Sequence, residues 1–153
     1  MAGPLDVGSV APDFILKDQN NEEVQLSTFR GHRTVLLVFY PLAFSGHCQG
    51  ELGALRDRLD DFTELAEVLT VSVDSAYAHK VWATEQGYEF PLLADFWPHG
   101  AVAQAYGVFN SAKGYADRGT FVVDIDGIIR YAAVNEPGTP RDPEEWLKAL
   151  AAL

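Results

Sequence analysis

The chain has 153 residues, enough for one ordinary domain spanning 1–153 and too few for two. Its 22 acids against 11 bases give a formal net charge of −11, and the bases are scattered; nucleic acids and anionic membrane surfaces, which need clustered Lys and Arg, are excluded as partners. The single cysteine excludes an internal disulfide and fits a reducing compartment, the opening Met1-Ala2-Gly3-Pro4-Leu5-Asp6 lacks the features of a signal peptide, and no apolar run approaches the ~20 residues that span a bilayer, so the expectation is a cytoplasmic protein away from membranes.

In chain order, Ala11-Pro12-Asp13-Phe14-Ile15-Leu16 reads as an extended entry or strand. Asp18-Gln19-Asn20-Asn21 is a polar turn, and Val24-Gln25-Leu26 returns, which predicts an N-terminal hairpin. Ser27 is placed to cap a short turn to Phe29, ended by Gly31. Residues 34–40 form a nearly unbroken apolar run, the pattern of a central strand covered on both faces. The next segment carries Leu52, Leu55, Leu59 and Phe62 at helical spacing, with Arg56, Asp57, Asp60 and Asp61 on the opposite face.

Residues 69–73 read as a second central strand, and Ala76 to Gln86 as a helix with Gly87 as its C-terminal cap. A short strand over 91–94 and a short helix over 100–106 follow, the latter closed by Gly107. Residues 120–124 and 127–131 predict a hairpin around Ile125-Asp126. Asp142-Pro143-Glu144-Glu145 starts the last helix, with an N-cap, a first-turn proline and acids where the helix dipole favours them. Alternating strands and helices closed by a hairpin and a helix give an α/β fold with a mixed central sheet.

Cys48 carries the chemistry. It follows the apolar strand and the loop Pro41-Leu42-Ala43-Phe44-Ser45-Gly46-His47, and it opens a helix. Backbone N–H groups at a helix start have no internal partner and the dipole is positive there, so a thiol in the first turn is held closer to its thiolate form. Ser45, three residues earlier, is placed as an N-cap whose hydroxyl can reach the first-turn N–H groups or the sulfur. Pro41 stiffens the loop. The nearest acid in sequence, Glu51, is expected to project away or to act as an acceptor. A lone buried cysteine is more often inert packing; on the residues alone the two readings stand about level.

Pro41-x-x-x-Ser45-x-x-Cys48 resembles the active-site motif of the peroxiredoxins, Pro-x-x-x-Thr/Ser-x-x-Cys. Three further segments resemble the same family in the same order: Ala11-Pro12-Asp13-Phe14; Asp95 with Val102-Ala103-Gln104-Ala105-Tyr106-Gly107-Val108; and Arg118-Gly119-Thr120-Phe121-Val122-Val123-Asp124. The run from Phe90 to Val102 is most similar to the one-cysteine alkyl hydroperoxide reductase E-type subgroup. Ser45 departs from the commoner Thr and lacks the β-branch that fixes a rotamer.

The resemblance implies a thioredoxin-like fold and a thiol peroxidase reducing hydrogen peroxide, organic hydroperoxides or peroxynitrite through a Cys48 sulfenic acid. It assigns catalytic roles to Cys48, Arg118, Ser45 and Pro41. With no second cysteine, an external low-molecular-weight thiol or a redoxin must resolve the intermediate. The resemblance also implies a homodimer or larger homo-oligomer, with Phe44 and Trp97 near the contact. Without it, Arg118 reads as an exposed base before a strand, and Phe44, Trp82, Trp97 and Phe109 as core.

His32, His47, His79 and His99 show no metal-ligand spacing, and Asp124-Ile125-Asp126-Gly127 lacks the later ligands of a calcium loop, so no metal and no cofactor are expected. A dithiol oxidoreductase needs a cysteine where Ser45 stands, and the Gln and Trp partners of a glutathione peroxidase have no counterpart. The remaining alternative is a redoxin-fold holdase chaperone or thiol-bearing interaction protein, which would tolerate Cys48→Ser.

Overall fold

The computed structural model describes residues 3–153; Met1 and Ala2 lie outside the described residues. A seven-stranded mixed sheet has the order β2-β1-β5-β4-β3-β8-β9, with strands β1 (Ile15–Lys17), β2 (Glu23–Gln25), β3 (Val35–Phe39), β4 (Glu67–Ser72), β5 (Leu92–Ala94), β8 (Arg118–Val123) and β9 (Ile129–Asn135). The parallel pairs β3–β4 and β4–β5 form the centre, and β1, β8 and β9 join antiparallel. The helices are α1 (Gly46–Asp57), α2 (Leu59–Thr63), α3 (Ala76–Gln86), α4 (Ala101–Ala105) and α5 (Pro143–Ala151).

Strand β3 is buried throughout and splits its side chains between two cores, as a strand covered on both faces must. Val35, Leu37 and Phe39 join Phe14, Leu26, Tyr106 and Phe121 on one face. Leu36 and Val38 join Leu52, Leu55, Phe62, Trp82 and Trp146 on the other, the face covered by α1, α2, α3 and α5. Removing a buried Leu or Trp from either layer would cost roughly 2–5 kcal/mol, because the packed surroundings close only partly over the void.

The predicted hairpins are present: β1 pairs with β2 from Ile15↔Gln25 to Lys17↔Glu23, and β8 pairs with β9. Helix α3 runs over the predicted residues. Ser75 caps it by accepting the Ala78 N–H at 3.2 Å, and Gly87 ends it at φ 71°. Gly107 closes the segment after α4 at φ 73°, where an added Cβ would stand 2.2 Å from the Gly3 carbonyl oxygen. The Asp142 carboxylate caps α5 through the Glu144 N–H at 3.0 Å.

Three local expectations change. Ser27 lies inside the 3-10 turn Leu26–Phe29 instead of capping it, because the Asp13 carboxylate takes the Ser27 N–H at 2.9 Å. The helix after Cys48 is broken at Arg58, which turns tightly onto the Leu55 carbonyl; the apolar stripe continues in α2, with Leu52, Leu55 and Phe62 buried and Leu59 half-buried. A two-residue hairpin, β6 (Phe109–Asn110) with β7 (Tyr115–Ala116), stands before β8 with no sequence expectation behind it.

Candidate active site

Strand β3 ends at Phe39, and the Tyr40 N–H still bonds the Val71 carbonyl of β4 at 3.0 Å. The chain then leaves the sheet through Pro41 to Ser45 and enters α1 at Gly46. Phe44 adopts φ 69°, uncommon for a residue with a side chain, and lays its ring 5.9 Å from Trp82. Cys48 is the third residue of α1. The helix's hydrogen bonding begins with the Gln49 N–H on the Ser45 carbonyl at 2.9 Å, so the Cys48 N–H has no intrahelical partner.

Cys48, Pro41, Ser45 and Arg118 line one cavity of about 440 Å³, together with Leu42, His47 and the β6–β7 hairpin residues Asn110, Lys113 and Tyr115. Four residues singled out in the sequence are thus brought to one place by three different elements. Cys48 is only 1% exposed, but it borders this cavity as well as the apolar layer. A slightly larger cavity of about 490 Å³ lies where α1 meets α2. Its two cations are already paired, Arg56 with Asp57 and Arg58 with Asp61 and Glu144, and its lining contains no cysteine, serine or threonine.

Arg118 is not an exposed base. It is the first residue of β8 and only 5% exposed. Its Nε donates to Glu51 Oε1 at 3.2 Å, its Nη2 to Glu51 Oε2, and its Nη1 to the Glu136 carbonyl at 2.6 Å. A guanidinium carries five N–H donors. Three are engaged, which leaves two without a partner among the described residues.

Glu51 is the acceptor the sequence allowed it to be, and it serves a second cation that the sequence did not reveal. Arg141, buried just before α5, donates from Nε to Glu51 Oε2 at 2.9 Å and from Nη2 to Oε1 at 3.0 Å. Its Nη1 reaches the carbonyls of Phe39 and Gly119 at 2.8 and 3.2 Å. Burial pushes the Glu51 carboxyl up, but hydrogen bonds from Arg118 and then Arg141 outweigh it and hold the group below the ordinary carboxylate value. Two guanidiniums on one carboxylate leave the trio with a net positive charge, and Arg118 brings it to the cavity that Cys48 lines. The only local signal for Arg141 was an isolated base beside a helix start.

Ser45 occupies the N-cap position, but its hydroxyl does not bond a first-turn N–H. It donates to the Leu42 carbonyl at 3.0 Å, because the turn leaves that carbonyl three residues back within reach. The loop is also held from outside. Asp74 Oδ2 accepts the Ala43 N–H at 2.8 Å. Among the described residues, no group of three or more His, Cys, Asp or Glu side chains is arranged to hold a metal ion.

The AhpC/TSA family model matches residues 7–132. Alkyl hydroperoxide reductase E of Mycobacterium tuberculosis is 58% identical over 150 residues, covering 97% of this chain and 98% of that protein. The chain belongs to the AhpC/TSA family, the peroxiredoxins. Its one cysteine and its likeness to the reductase place it with the one-cysteine E-type members. Among solved structures, the reduced 2-Cys peroxiredoxin of Plasmodium vivax superposes with a TM-score of 0.87 at 33% identity, covering 97% of this chain and 82% of the other. Peroxidoxin BcpB of Mycobacterium tuberculosis gives 0.87 at 28% identity, with 99% of each chain covered. The mixed α/β sheet read from the residues, and the thioredoxin-like fold that the resemblance implied, are the ones observed.

Proposed function

We propose that this peroxiredoxin is a thiol-dependent peroxidase acting through Cys48. The observation that carries the reading is that the lone thiol, at a helix start, and a buried cation with two N–H donors unpartnered among the described residues line the same cavity. The Cys48 thiolate bonds the terminal oxygen of a hydroperoxide and the O–O bond breaks. The leaving oxygen departs as alkoxide or hydroxide and takes up the proton the thiol gave to solvent. Sulfur ends as sulfenic acid, oxidised by two electrons, and the peroxide is reduced to alcohol or water.

Ionisation alone supplies little of the rate. Lowering a thiol pKa from about 8.5 to about 6 raises the thiolate fraction near pH 7.4 only about tenfold, and nucleophilicity falls with it. A fixed donor facing the charge on the leaving oxygen is worth on the order of 10²–10³. The free N–H groups of Arg118 and the Cys48 N–H are those donors. Pro41 stiffens the loop at the edge of the cavity, and Ser45 shapes it, with its hydroxyl turned to Leu42. The cavity, about 440 Å³, has room for an organic substituent on the peroxide.

Resolution falls to an external thiol or redoxin, since the chain has no second cysteine. Phe44 and Trp97, 49% and 81% exposed, support a homodimer or larger assembly, whereas Trp82 and Phe109 are buried. No helix among the described residues is long and apolar enough to cross a membrane, and a cytoplasmic site of action goes with the reducing environment that Cys48 needs.

The deciding experiment is peroxide consumption with a thiol reductant, together with mass spectrometry of Cys48 trapped as sulfenic acid. Wild type is expected to consume peroxide and yield the trapped adduct, and Cys48→Ser to do neither. Equal activity in the two proteins would return the reading to a holdase or interaction protein.

A further inference from the structure

A buried polar cluster that the peroxide reaction does not itself use grips the active-site loop from behind. Ser72 ends β4, Asp74 follows it, His79 lies in α3, and Tyr40 adjoins Pro41. Asp74 Oδ2 accepts two hydrogen bonds, from the Ala43 N–H at 2.8 Å and from the Ser72 hydroxyl at 2.7 Å. Ser72 Oγ also lies 2.6 Å from His79 Nε2, and Tyr40 Oη lies 3.1 Å from the same nitrogen.

A serine hydroxyl has one hydrogen and a carboxylate only accepts, so Ser72 donates to Asp74. His79 Nε2 packs against Ser72 Oγ and Tyr40 Oη and holds the serine in place. Burial keeps the ring neutral, lowering its pKa to about 4.

The order of support is thus His79 to Ser72 to Asp74 to Ala43. Ala43 sits between Pro41 and Ser45, inside the loop that lines the cavity with Cys48 and Arg118. Among the described residues, no other hydrogen bond from a distant element reaches the backbone of residues 41–45.

We infer that Asp74 is a positioning residue for peroxide reduction: its carboxylate, braced by Ser72 and His79, fixes the Pro41–Ser45 loop so that peroxide meets Cys48 and Arg118 in line. The inference rests on the peroxidase reading. Misplacing reacting groups by about 1 Å costs on the order of 10²-fold in rate, whereas alkylation of the same sulfur requires no such alignment.

The test compares two reactions of the same sulfur. Iodoacetamide alkylation needs a thiolate and no alignment with Arg118; oxidation by hydrogen peroxide needs both. Both rate constants are measured by stopped flow and mass spectrometry, per folded molecule as judged by circular dichroism. Asp74→Ala is expected to slow oxidation roughly 10- to 100-fold and to leave alkylation within about twofold. Asp74→Asn keeps an amide oxygen able to accept both hydrogen bonds and should recover most of the oxidation rate. Ser72→Ala leaves the carboxylate unbraced; it should show the same split at smaller amplitude, and it decides the matter if Asp74→Ala does not fold. Unchanged oxidation in folded Asp74→Ala, or equal loss of both reactions, overturns the inference. A wild type that alkylates at Cys48 but is not oxidised there would instead overturn the peroxidase reading.

Discussion

His79 should make the fold acid-labile over a defined window. The ring is fully buried, and desolvation of its charged form lowers its pKa from 6.5 to about 4; the Asp74 carboxylate, 3.9 Å away, and the Leu92 backbone offset only part of that. Above pH 6.5 the ring is neutral folded and unfolded, so it places no pH dependence on stability. Below 6.5 the unfolded chain takes a proton that the folded chain refuses, and stability falls until the folded ring protonates near pH 4. Each pH unit of that gap is worth about 1.4 kcal/mol, so the full loss is about 3 kcal/mol. That is a large fraction of the roughly 5–15 kcal/mol typical of a domain. The perturbation is His79→Gln, whose amide can still hydrogen-bond Ser72 but does not titrate. The assay is urea denaturation at half-unit steps from pH 7.5 to 4. The variant should be the less stable protein at pH 7.5, having lost ring packing, and the gap should narrow by about 3 kcal/mol as the pH falls. Parallel stability curves for the two proteins would refute the claim that His79 is held neutral.

Two further outcomes bear on the site and the assembly. Arg118→Ala should cut the rate of Cys48 oxidation by peroxide on the order of 10²–10³-fold while alkylation of the same thiol changes far less; similar small changes in both would remove Arg118 from the donor set. Tryptophan emission of the wild type should shift on dilution through the association range, since Trp97 is exposed on the isolated chain, and emission that is flat with concentration would count against a homo-oligomer burying it.

What the sequence disclosed was mostly local physics. The ends of α3 were legible because a C-terminal glycine and helical spacing are decided within a few residues. The β3 run was legible because it is buried on both faces and every one of its residues is apolar. The hairpin β6–β7 was not, because two-residue strands are too short for alternation to register. The break at Arg58 was hidden for a related reason: the apolar stripe resumes on the same face in α2, so spacing alone reads as one helix. Ser45 shows a finer limit. Its position as N-cap was legible, but the partner of its hydroxyl depends on where the loop places the Leu42 carbonyl.

The site itself divides along the same line. Cys48, Pro41, Ser45 and Arg118 were reached from motif likeness, and all four border one cavity. The residues that organise them were not reached, because each acts across a long stretch of chain: Arg141 meets Glu51 from 90 residues away, and Asp74 meets Ala43 from 31. The charge arithmetic shows why such a partner is needed. In the proposed mechanism, a lone Glu51 on Arg118 would neutralise the cation assigned to face the peroxide, in a chain already at −11. A second guanidinium sharing the carboxylate anchors Arg118 in place and keeps the cluster positive, so one acid can orient the cation without quenching it. Orientation and charge are therefore set by different residues: Arg118 carried a motif in the sequence and Glu51 a place as acceptor, while Arg141 carried neither.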